Sequence, residues 1–351
     1  MGDVMVSSIH RAVLAAWGLE GANPVELTSG HINQTYRLAS GAEDFILQRL
    51  NPIFGAEVHV DIDAITGRLE SEGILTPRLV PTRSGDLWTE DEDGGIWRLQ
   101  TFITGQTHPS ASSPEMCESA GALVARFHGA LFGWKHDFAH RRFGVHDTSS
   151  HIATLEKAIE EHGAHDAHGD VERLAKRVLV ELRSLPELRS LPEHIVHGDL
   201  KLTNILFDEQ HQARALIDLD TLAPMPLAHE LGDALRSWCN RAGESAAAPQ
   251  FDLEFFEASL RGYAAGGGGR LTREELASIP VGVETICLEL TVRFLADALN
   301  ESYFGWDSAA FPSASAHNLV RAQAQLQVAE SFASRRSEAE RVVARLFSLV
   351  E

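Results

Sequence analysis

Two short polar segments of the chain carry residue types that are suited to phosphoryl transfer. The first contains Asp199 and, five residues later, Asn204, and the second contains Asp218; apolar runs typical of buried strands flank both segments. Phosphoryl transfer requires a carboxylate that aligns the attacking hydroxyl and accepts its proton, together with oxygen ligands for Mg²⁺. Because these three side chains meet that requirement, the two segments predict a Mg²⁺-dependent phosphotransferase.

The composition is that of a folded globular enzyme. The 351 residues are 44% hydrophobic and 23% charged, a length and balance that suit two packed lobes or one large domain. Thirty Lys and Arg against fifty Asp and Glu leave a formal charge of −20. So acidic a surface repels phosphate backbones and anionic lipids, and we therefore expect a small polar or cationic substrate rather than nucleic acid or a membrane.

The sequence predicts a cytoplasmic protein. Its three cysteines (Cys117, Cys239 and Cys287) lie far apart and form no CxxC pair, which is typical of free thiols in a reducing compartment. The first residues lack the basic-then-apolar order of a signal peptide, and no apolar stretch approaches the ~18–20 residues of a membrane helix. We expect a monomer or a homodimer, and the sequence does not choose between them.

Hydrophobic periodicity divides the chain into a strand-rich part and a helical part. After a short leading helix at 8–18, β-type runs occur at 25–28, 35–39, 45–48, 87–90 and 96–103, with one helix at 57–73. Beyond Gly105 helical patterns prevail, at 114–131, 150–162, 170–184, 252–265, 272–303 and 315–349. A compact strand–turn–strand stretch at 194–219 carries the polar residues described above. Five strands and one helix predict a small antiparallel sheet near the N-terminus.

The order His197-Gly198-Asp199, four residues, Asn204 and then Asp218 resembles the catalytic loop and metal-binding aspartate of the aminoglycoside-phosphotransferase-like kinases. That resemblance implies an α+β, two-lobed protein-kinase-like fold, with a small antiparallel-sheet N-lobe at 1–104 and a mostly helical C-lobe at 105–351. ATP would bind in the cleft near the hinge formed by Thr104 and Gly105.

The same resemblance assigns roles to five residues. Asp199 would be the catalytic base, Asn204 and Asp218 would bind Mg²⁺, and His197 would support the loop through hydrogen bonds. Lys201, two residues beyond the base, would reach the phosphate during transfer. These roles describe a kinase that places the γ-phosphate of ATP on a small-molecule hydroxyl.

A closer resemblance, to the bacterial N-acetylhexosamine 1-kinases, extends over most of the chain. It is carried by the segments 30–36, 45–51, 217–221, 231–236, 289–299 and 317–321. Those enzymes phosphorylate the anomeric hydroxyl of N-acetylglucosamine or N-acetylgalactosamine, so the resemblance implies a sugar 1-phosphate as product and a place in carbohydrate metabolism. The alternatives are a kinase of another acceptor (an aminoglycoside, choline, homoserine or another sugar) and a non-catalytic nucleotide-binding protein.

The third strand departs from the general pattern of these kinases. Members of the wider family carry a Lys there that contacts the ATP phosphates and pairs with a helix Glu, whereas this chain has Gln48. A neutral amide donates hydrogen bonds but brings no charge. Either Arg49 or Lys201 compensates, or ATP is held more weakly. The N-acetylhexosamine 1-kinases resemble this chain at the position, and Glu57, Glu70 and Glu72 are the candidate helix partners.

The loop between the first two strands lies where a kinase covers the phosphates. It contains Gly30, His31 and Asn33. We assign these residues, with Gln48 and Arg49, to cofactor binding, although His31 and Asn33 are also candidates for sugar contact. The spacing alone suits a plain hairpin loop equally well.

Several acidic residues have two interpretations. Asp220 follows Asp218 by two residues and is either a third metal ligand or a structural acceptor, and Asp233 is interpreted as a structural brace of the catalytic loop. Glu289, Arg293 and Asp297 recur every four residues and so share one helix face. That face is either a solvated row of ion pairs or, with Tyr303, the acceptor-binding surface.

Overall fold

The computed structural model describes residues 11–27, 33–41, 43–140, 146–188, 190–243, 245–246 and 248–348. Contacts divide the chain into two compact units. Unit 1 comprises Met1–Gly105, Trp134–Arg141 and Ala215–Leu222, and unit 2 comprises Gln106–Gly133, Arg142–Arg214 and Ala223–Glu351. The segment that carries Asp218 therefore belongs to unit 1, together with the N-terminal sheet, whereas Asp199 and Asn204 belong to unit 2.

Unit 1 is built on a five-stranded antiparallel sheet. Its strands are β1 (Pro24–Glu26), β2 (Gln34–Ser40), β3 (Glu43–Arg49), β4 (Thr89–Glu90) and β5 (Ile96–Thr101), in the spatial order β1-β2-β3-β5-β4. Apolar residues on alternate positions cover one face and pack with a helical segment at 11–15 (Val13, Leu14, Tyr36, Leu38, Leu47, Trp97 and Leu99). The opposite face is therefore available for polar side chains.

The strand register decides which polar side chains meet on that opposite face. Thr35 of β2 pairs with Gln48 of β3, and Gln48 pairs in turn with Arg98 of β5. Directly paired residues of an antiparallel sheet share one face, so these three side chains lie side by side. The next residue of β3, Arg49, points to the other face because strand side chains alternate.

One helix and two later segments complete unit 1. Helix α1 (Val58–Ser71) lies between β3 and β4 along the chain and buries its face through Ile62, Ile65 and Leu69. Its buried Asp61 accepts hydrogen bonds from His136 and from the backbone amides of residues 139 and 140, which fastens the segment 134–140 to the helix. The 3₁₀ turn Leu219–Thr221 contacts the same helix.

Unit 2 is mostly helical. Its helices are α2 (Pro114–Leu131), α3 (Thr148–Glu161), α4 (His168–Ser184), α5 (Leu227–Trp238), α6 (Leu253–Ala265), α7 (Arg273–Ala277), α8 (Ile279–Asn300), α9 (Ala314–Ala333) and α10 (Arg336–Leu346). The almost fully buried α8 contacts α3, α4, α5 and α9. Short strands β6 (Glu193–Val196), β7 (Ile205–Phe207) and β9 (Ala223–Pro226) also belong to this unit, whereas β8 (Ala213–Leu216) passes from unit 2 into unit 1. These strands flank the predicted catalytic segments. None of the helices in the described ranges is both long and apolar enough to cross a membrane.

Glycine allows α5 to pack closely on α8. A methyl group at Gly282 would lie 1.9 Å from the carbonyl oxygen of Ala228, and one at Gly232 would lie 2.5 Å from the carbonyl oxygen of Gly282. Both distances are far shorter than a van der Waals contact, so a side chain at either position would push the helices apart. The glycines thus hold α5 at a fixed distance from the buried helix of unit 2.

The observed elements match most of the predicted ones. Strand β9 and helix α5 are not among the predicted elements, and two of the predicted helices are divided. The predicted helices at 272–303 and 315–349 are each two helices, interrupted at Ser278 and at Ser334–Arg335. In the first case Thr272 and Glu275 form a capping box that starts the short α7, and Ser278 then precedes the Pro of α8. The predicted start of α2 is confirmed, because the Ser113 side chain accepts a hydrogen bond from the Met116 amide.

Candidate active site

The turn after β6 brings three predicted site residues of unit 2 together. Gly198 has a φ of 84°, a left-handed conformation that reverses the chain and that glycine adopts without a steric penalty. The Asn204 amide nitrogen donates to the Asp199 backbone oxygen at 2.9 Å and to its carboxylate Oδ2 at 3.0 Å. The Lys201 ammonium donates to the same Oδ2 at 2.8 Å. Asp199, Lys201 and Asn204 therefore form one hydrogen-bonded cluster.

The cluster leaves the Asp199 side chain partly accessible. Its carboxylate is 24% exposed, and both neighbouring donors bind Oδ2 rather than Oδ1. A positioned carboxylate with one oxygen anchored can present its other oxygen to a hydroxyl proton. This geometry suits the predicted role of Asp199 as the base that orients an acceptor.

His197 is buried beneath this turn. Its side chain is 0% exposed, and its Nδ1 accepts a hydrogen bond of 3.3 Å from the Asp199 backbone amide. The nitrogen must be unprotonated to accept, so the bond selects the tautomer with the proton on Nε2. The contact is of the supporting kind that the sequence predicted for His197.

Glu230 is a structural element of the site that sequence reasoning missed. Its fully buried carboxylate accepts hydrogen bonds from the backbone amides of His197 at 2.8 Å and Gly198 at 2.9 Å. Burial by itself raises the pKa of Glu230, but its hydrogen bonds and the neighbouring His128 outweigh burial, so the pKa is lowered. The carboxylate is thus held in the charged form that binds two amides.

The sequence pointed instead to Asp233, one helical turn further on. Asp233 is buried, but it pairs with Arg236 of the same helix, at 2.9 Å and 3.1 Å. Trp238 at the end of α5 is a second missed support, because its indole nitrogen donates to the Leu200 carbonyl at 2.7 Å. Helix α5 therefore contacts the turn after β6 at two points, through Glu230 at residues 197 and 198 and through Trp238 at Leu200. We call this turn, which carries the proposed base Asp199, the catalytic turn.

The residues predicted to bind Mg²⁺ have suitable donor atoms. The Asn204 nitrogen is engaged by Asp199, which leaves Oδ1 as the amide atom that suits a hard cation. Beside it, the hydroxyl of Thr203 is buried and has no hydrogen-bond partner within the described ranges. Across those same ranges no group of three or more His, Cys, Asp or Glu side chains is arranged to hold a metal ion by itself. Such a donor set fits Mg²⁺, which takes one or two protein ligands and completes its shell with phosphates and water.

Asp218, in unit 1, has an unusual backbone. Its φ of 63° and ψ of 58° place it in the left-handed region, immediately before the 3₁₀ turn Leu219–Thr221. Few non-glycine residues adopt this conformation, and it persists where the surroundings hold it in place. The Asp218 carboxylate is thereby presented at a defined point of the turn.

Asp220 makes structural contacts in unit 1. Both of its carboxylate oxygens accept hydrogen bonds from the guanidinium of Arg98, and Asn33 donates to Oδ2 at 2.6 Å. Burial raises the pKa of Asp220, but the Arg98 charge and these hydrogen bonds outweigh it, so the pKa is lowered. Of the two interpretations offered by the sequence, the contacts favour a structural acceptor over a third metal ligand.

The residues predicted to contact ATP take different positions in unit 1. Gln48 accepts two hydrogen bonds from Arg98, at 2.8 Å and 2.9 Å, and donates to Thr35 at 3.0 Å. Arg49 lies 3.3 Å from Asp91 on the other face of the sheet. Gly30 and His31 lie outside the described residues. Of the candidate helix partners, Glu70 lies 3.9 Å from Arg78 and Glu72 lies 2.7 Å from Arg68, and Glu57 precedes α1.

The predicted acceptor face in unit 2 is neither a row of surface ion pairs nor a single exposed surface. Glu289 is fully buried and binds His146 at 2.9 Å and Thr148 at 2.6 Å. Asp297 accepts hydrogen bonds from the amides of residues 302–304 and from Asn318, and so fixes the loop after α8. Arg293 lies 5.7 Å from the Tyr303 ring, which is 55% exposed. Arg293 and Tyr303 are thus the members that reach the surface.

A cavity of about 590 Å³ opens in unit 1 beside the predicted hinge. Its lining includes Arg37, Asp44, Phe102, Thr104 and Gly105. The Arg37 guanidinium lies 4.4 Å from the Phe102 ring centroid and also pairs with Asp44. The cavity is open to the surface, and its lining combines aromatic rings with charged and polar groups.

Comparisons with known proteins identify the family and the fold of the chain. The model of APH, the phosphotransferase enzyme family, matches residues 25–267. An aminoglycoside phosphotransferase from Alicyclobacillus acidocaldarius has a similar structure, with 19% identity, coverage of 94% of this chain and 96% of that chain, and a TM-score of 0.61. A microcompartment-associated aminopropanol kinase is 18% identical, with coverage of 94% of this chain and 98% of that chain and a TM-score of 0.62. An amicoumacin kinase in complex with AMP-PNP and Ca²⁺ is 16% identical, with coverage of 97% of this chain and 94% of that chain and a TM-score of 0.60. These structures confirm the predicted α+β, protein-kinase-like fold class.

Proposed function

Because the chain belongs to the phosphotransferase enzyme family, we propose that it transfers the γ-phosphate of ATP to a hydroxyl group of a small molecule. The observation that carries this proposal is the cluster of Asp199, Lys201 and Asn204, in which an anchored but accessible carboxylate lies beside a cation and an amide oxygen. A carboxylate, a cation and a metal-binding oxygen are the groups that positional and electrostatic catalysis of phosphoryl transfer requires.

In the proposed reaction the residues act by binding and orientation. Asp199 accepts a hydrogen bond from the acceptor hydroxyl and takes its proton as the new phosphorus–oxygen bond forms and the bond to ADP breaks. Lys201 exchanges its contact with Asp199 for the migrating phosphate and offsets its charge. Asn204 and Asp218 would hold Mg²⁺, which when bound neutralises phosphate charge. The cavity beside Thr104 and Gly105 is the proposed site of the nucleotide base.

For the acceptor we propose the anomeric hydroxyl of an N-acetylhexosamine, with a sugar 1-phosphate as product. This proposal is supported by the sequence resemblance and by the pairing of Arg293 with Tyr303, because an exposed aromatic ring stacks on sugars and a guanidinium binds carbonyl oxygens. Buried Glu289 and Asp297 then act on the acceptor site indirectly, by fixing the segments around it.

An amine-bearing alcohol is the second candidate acceptor. Two observations favour it: the formal charge of −20 attracts cations, and the structural neighbours include proteins named as aminoglycoside and aminopropanol kinases. The catalytic cluster would act identically on either acceptor, so the two candidates differ in the acceptor site alone.

The first experiment is ADP release from Mg-ATP against a panel of acceptors. The panel contains N-acetylglucosamine, N-acetylgalactosamine, glucose, galactose, glucosamine, kanamycin, choline, homoserine and 1-amino-2-propanol, with GTP replacing ATP in a parallel series. Phosphorus NMR then locates the phosphate on each product. An anomeric phosphate on an N-acetylhexosamine supports the sugar proposal, and turnover confined to amines replaces it with the second candidate. Nucleotide binding without turnover on any acceptor would contradict the kinase proposal.

A further inference from the structure

Five polar side chains of unit 1 form a continuous hydrogen-bonded group around Arg98. We call this group, which consists of Thr35, Gln48, Arg98, Asp220 and Asn33, the Arg98 network. Arg98 is at its centre and is 0% exposed. It joins residues that are 50 and 122 positions away in the sequence, on β3 and on the turn after Asp218.

The donors of Arg98 are directed at two acceptors. Its Nε and one terminal nitrogen donate to the Gln48 carbonyl oxygen, at 2.9 Å and 2.8 Å. Its two terminal nitrogens also donate to the two carboxylate oxygens of Asp220, a bidentate arrangement. The Gln48 amide nitrogen is directed at Thr35. Both ends of the Gln48 amide are therefore used within the protein.

We propose that Arg98 is a positioning residue, which anchors the Asp218 turn to the sheet through Asp220, and that Gln48 is the acceptor that orients Arg98 rather than a ligand of ATP. The inference rests on the proposed function, because Asp218 is a proposed ligand of Mg²⁺. Asp218 has a left-handed backbone, and such a conformation needs contacts that hold it. The buried pair of Asp220 with Arg98, two residues after Asp218, is a contact that can hold this conformation.

Charge explains why a glutamine occupies position 48. The guanidinium of Arg98 and the carboxylate of Asp220 cancel, so the network has no net formal charge with a neutral amide at 48. A lysine at this position would remove one of the two acceptors of Arg98 and place a second cation beside its buried guanidinium. Such a like-charge contact is strongly unfavourable. The Arg98 network then offers no net positive charge to the phosphates, and in this proposal Lys201 and the metal neutralise them.

Opposite substitutions at Gln48 separate this proposal from direct contact with ATP. If Gln48 binds phosphate, Gln48→Lys adds a favourable charge and tightens AMP-PNP binding, whereas Gln48→Glu weakens it. The Arg98 network predicts the reverse order. Gln48→Glu gives Arg98 a charged acceptor, so the affinity for AMP-PNP changes by less than about threefold. Gln48→Lys weakens AMP-PNP binding at least ~10-fold and lowers the melting temperature by at least ~5 °C. Tighter AMP-PNP binding by Gln48→Lys would overturn the proposal.

A second experiment tests whether Arg98 positions the metal ligand. In the double variant Arg98→Met with Asp220→Asn both charges are removed together, so that no buried charge is left unpaired. Mn²⁺ binding in the presence of AMP-PNP is followed by electron paramagnetic resonance, and half-saturation is expected at ~10-fold higher Mn²⁺, with the acceptor KM unchanged. Unchanged Mn²⁺ binding would mean that the pair has a structural role alone. The matched control is Arg68→Met with Glu72→Gln, which removes an exposed pair on α1.

The two experiments distinguish failure of this inference from failure of the proposed function. If the unaltered protein binds neither AMP-PNP nor Mn²⁺ with AMP-PNP, the kinase proposal fails. In that case the melting temperatures of the Gln48 variants still test the Arg98 network, because they depend on the contacts of Arg98 and not on a ligand. A Gln48→Lys variant as stable as the unaltered protein would show that Gln48 does not serve Arg98.

Discussion

The fully buried carboxylate of Glu230 accepts a hydrogen bond of 2.9 Å from the backbone amide of Gly198, in the turn that leads into Asp199. Its other oxygen accepts from the neighbouring amide of His197. Two negatively polarised oxygens thus fix two consecutive peptide groups, one residue before the proposed base. The position of the Asp199 carboxylate therefore depends on a side chain from α5 that has no role in the chemistry itself.

Replacing Glu230 with glutamine tests this dependence. An amide offers one oxygen where the turn requires two acceptors, so one buried amide loses its partner at a cost of about 1–3 kcal/mol. We expect Glu230→Gln to lower kcat by at least ~10-fold through misplacement of Asp199, with a KM for ATP within ~3-fold of the original. Steady-state kinetics and thermal unfolding measure both effects.

The control for this prediction is Glu275→Gln. Glu275 is also a buried carboxylate, and it binds Thr272 and the His194 side chain of β6 but none of the described amides of the turn that follows β6. We expect it to lose stability without a comparable fall in kcat. Equal effects of the two variants on kcat would show that the loss at Glu230 reflects general destabilisation.

The proposed base is tested by Asp199→Asn. The amide keeps the size of the side chain and can still accept from Lys201, but it cannot take the acceptor proton. We expect kcat to fall by ~10²–10⁴-fold while AMP-PNP binding is retained. Calorimetry of nucleotide binding accompanies the kinetics. Near-normal turnover would exclude Asp199 as the base.

His59 of α1 is expected to make unit 1 sensitive to acid. Burial, and secondarily the charge of Arg98, lowers its pKa to about 4. A histidine whose pKa is lowered in the folded state contributes its full stabilisation to the free energy of unfolding above the unfolded pKa of about 6.5. This stabilisation is lost progressively as the pH falls from about 6.5 through the folded pKa of about 4. At pH 5 the loss amounts to about 2 kcal/mol, at 1.36 kcal/mol per pH unit below 6.5.

Comparison of the unaltered protein with His59→Asn isolates that loss. The difference in free energy of unfolding between the two is measured by denaturant titration at pH 7.5 and at pH 5.0. We expect it to shift by about 2 kcal/mol in favour of the variant at the lower pH. The His162→Asn variant, at the end of α3, serves as control. A difference that does not change with pH would contradict the prediction.

The pair of His146 and Glu289 in unit 2 is expected to have the opposite pH dependence. Burial lowers the pKa of His146, but the Glu289 charge outweighs it and the pKa is raised. Burial raises the pKa of Glu289, but His146 and its other partners lower it to about 2. The contribution of Glu289 to stability is complete above pH ~4.5. The contribution of His146 to stability is complete below pH ~6.5 and disappears as the pH rises through its folded pKa.

The pair therefore stabilises most between pH ~4.5 and ~6.5. We expect the melting temperature of the unaltered protein to exceed that of His146→Gln by the largest margin near pH ~5.5, and by less at pH ~9. Thermal unfolding across this range measures the margin. A margin that grows toward alkaline pH would show that His146 is neutral in the folded protein.

Local features of the sequence predicted most of the elements, though not α5, and the turn that carries Asp199 and Asn204. Alternating apolar residues located the strands, and the order Ser113-Pro114-Glu115 located the start of α2. Asp199 and Asn204 are close in the chain, so their contact lies within the turn between β6 and β7, although distant Glu230 and Trp238 fix that turn in place. Contacts within a few residues of each other follow from backbone geometry, which a short stretch of sequence specifies.

Periodicity in the sequence thus separated a strand-rich part from a helical part, and the resemblance carried by the short polar segments gave the fold class and the family. The sequence also predicted which residues of the turn after β6 would form the site. The tertiary structure decided which carboxylate supports the turn and what Gln48 binds. Glu230 and Asp233 lie one turn apart on α5, and packing against α8 selects which of them faces His197. Gln48 meets Arg98 through strand register, and Arg98 meets Asp220 across 122 residues of chain. Such pairings depend on how separate elements pack, and no local pattern of residues specifies them.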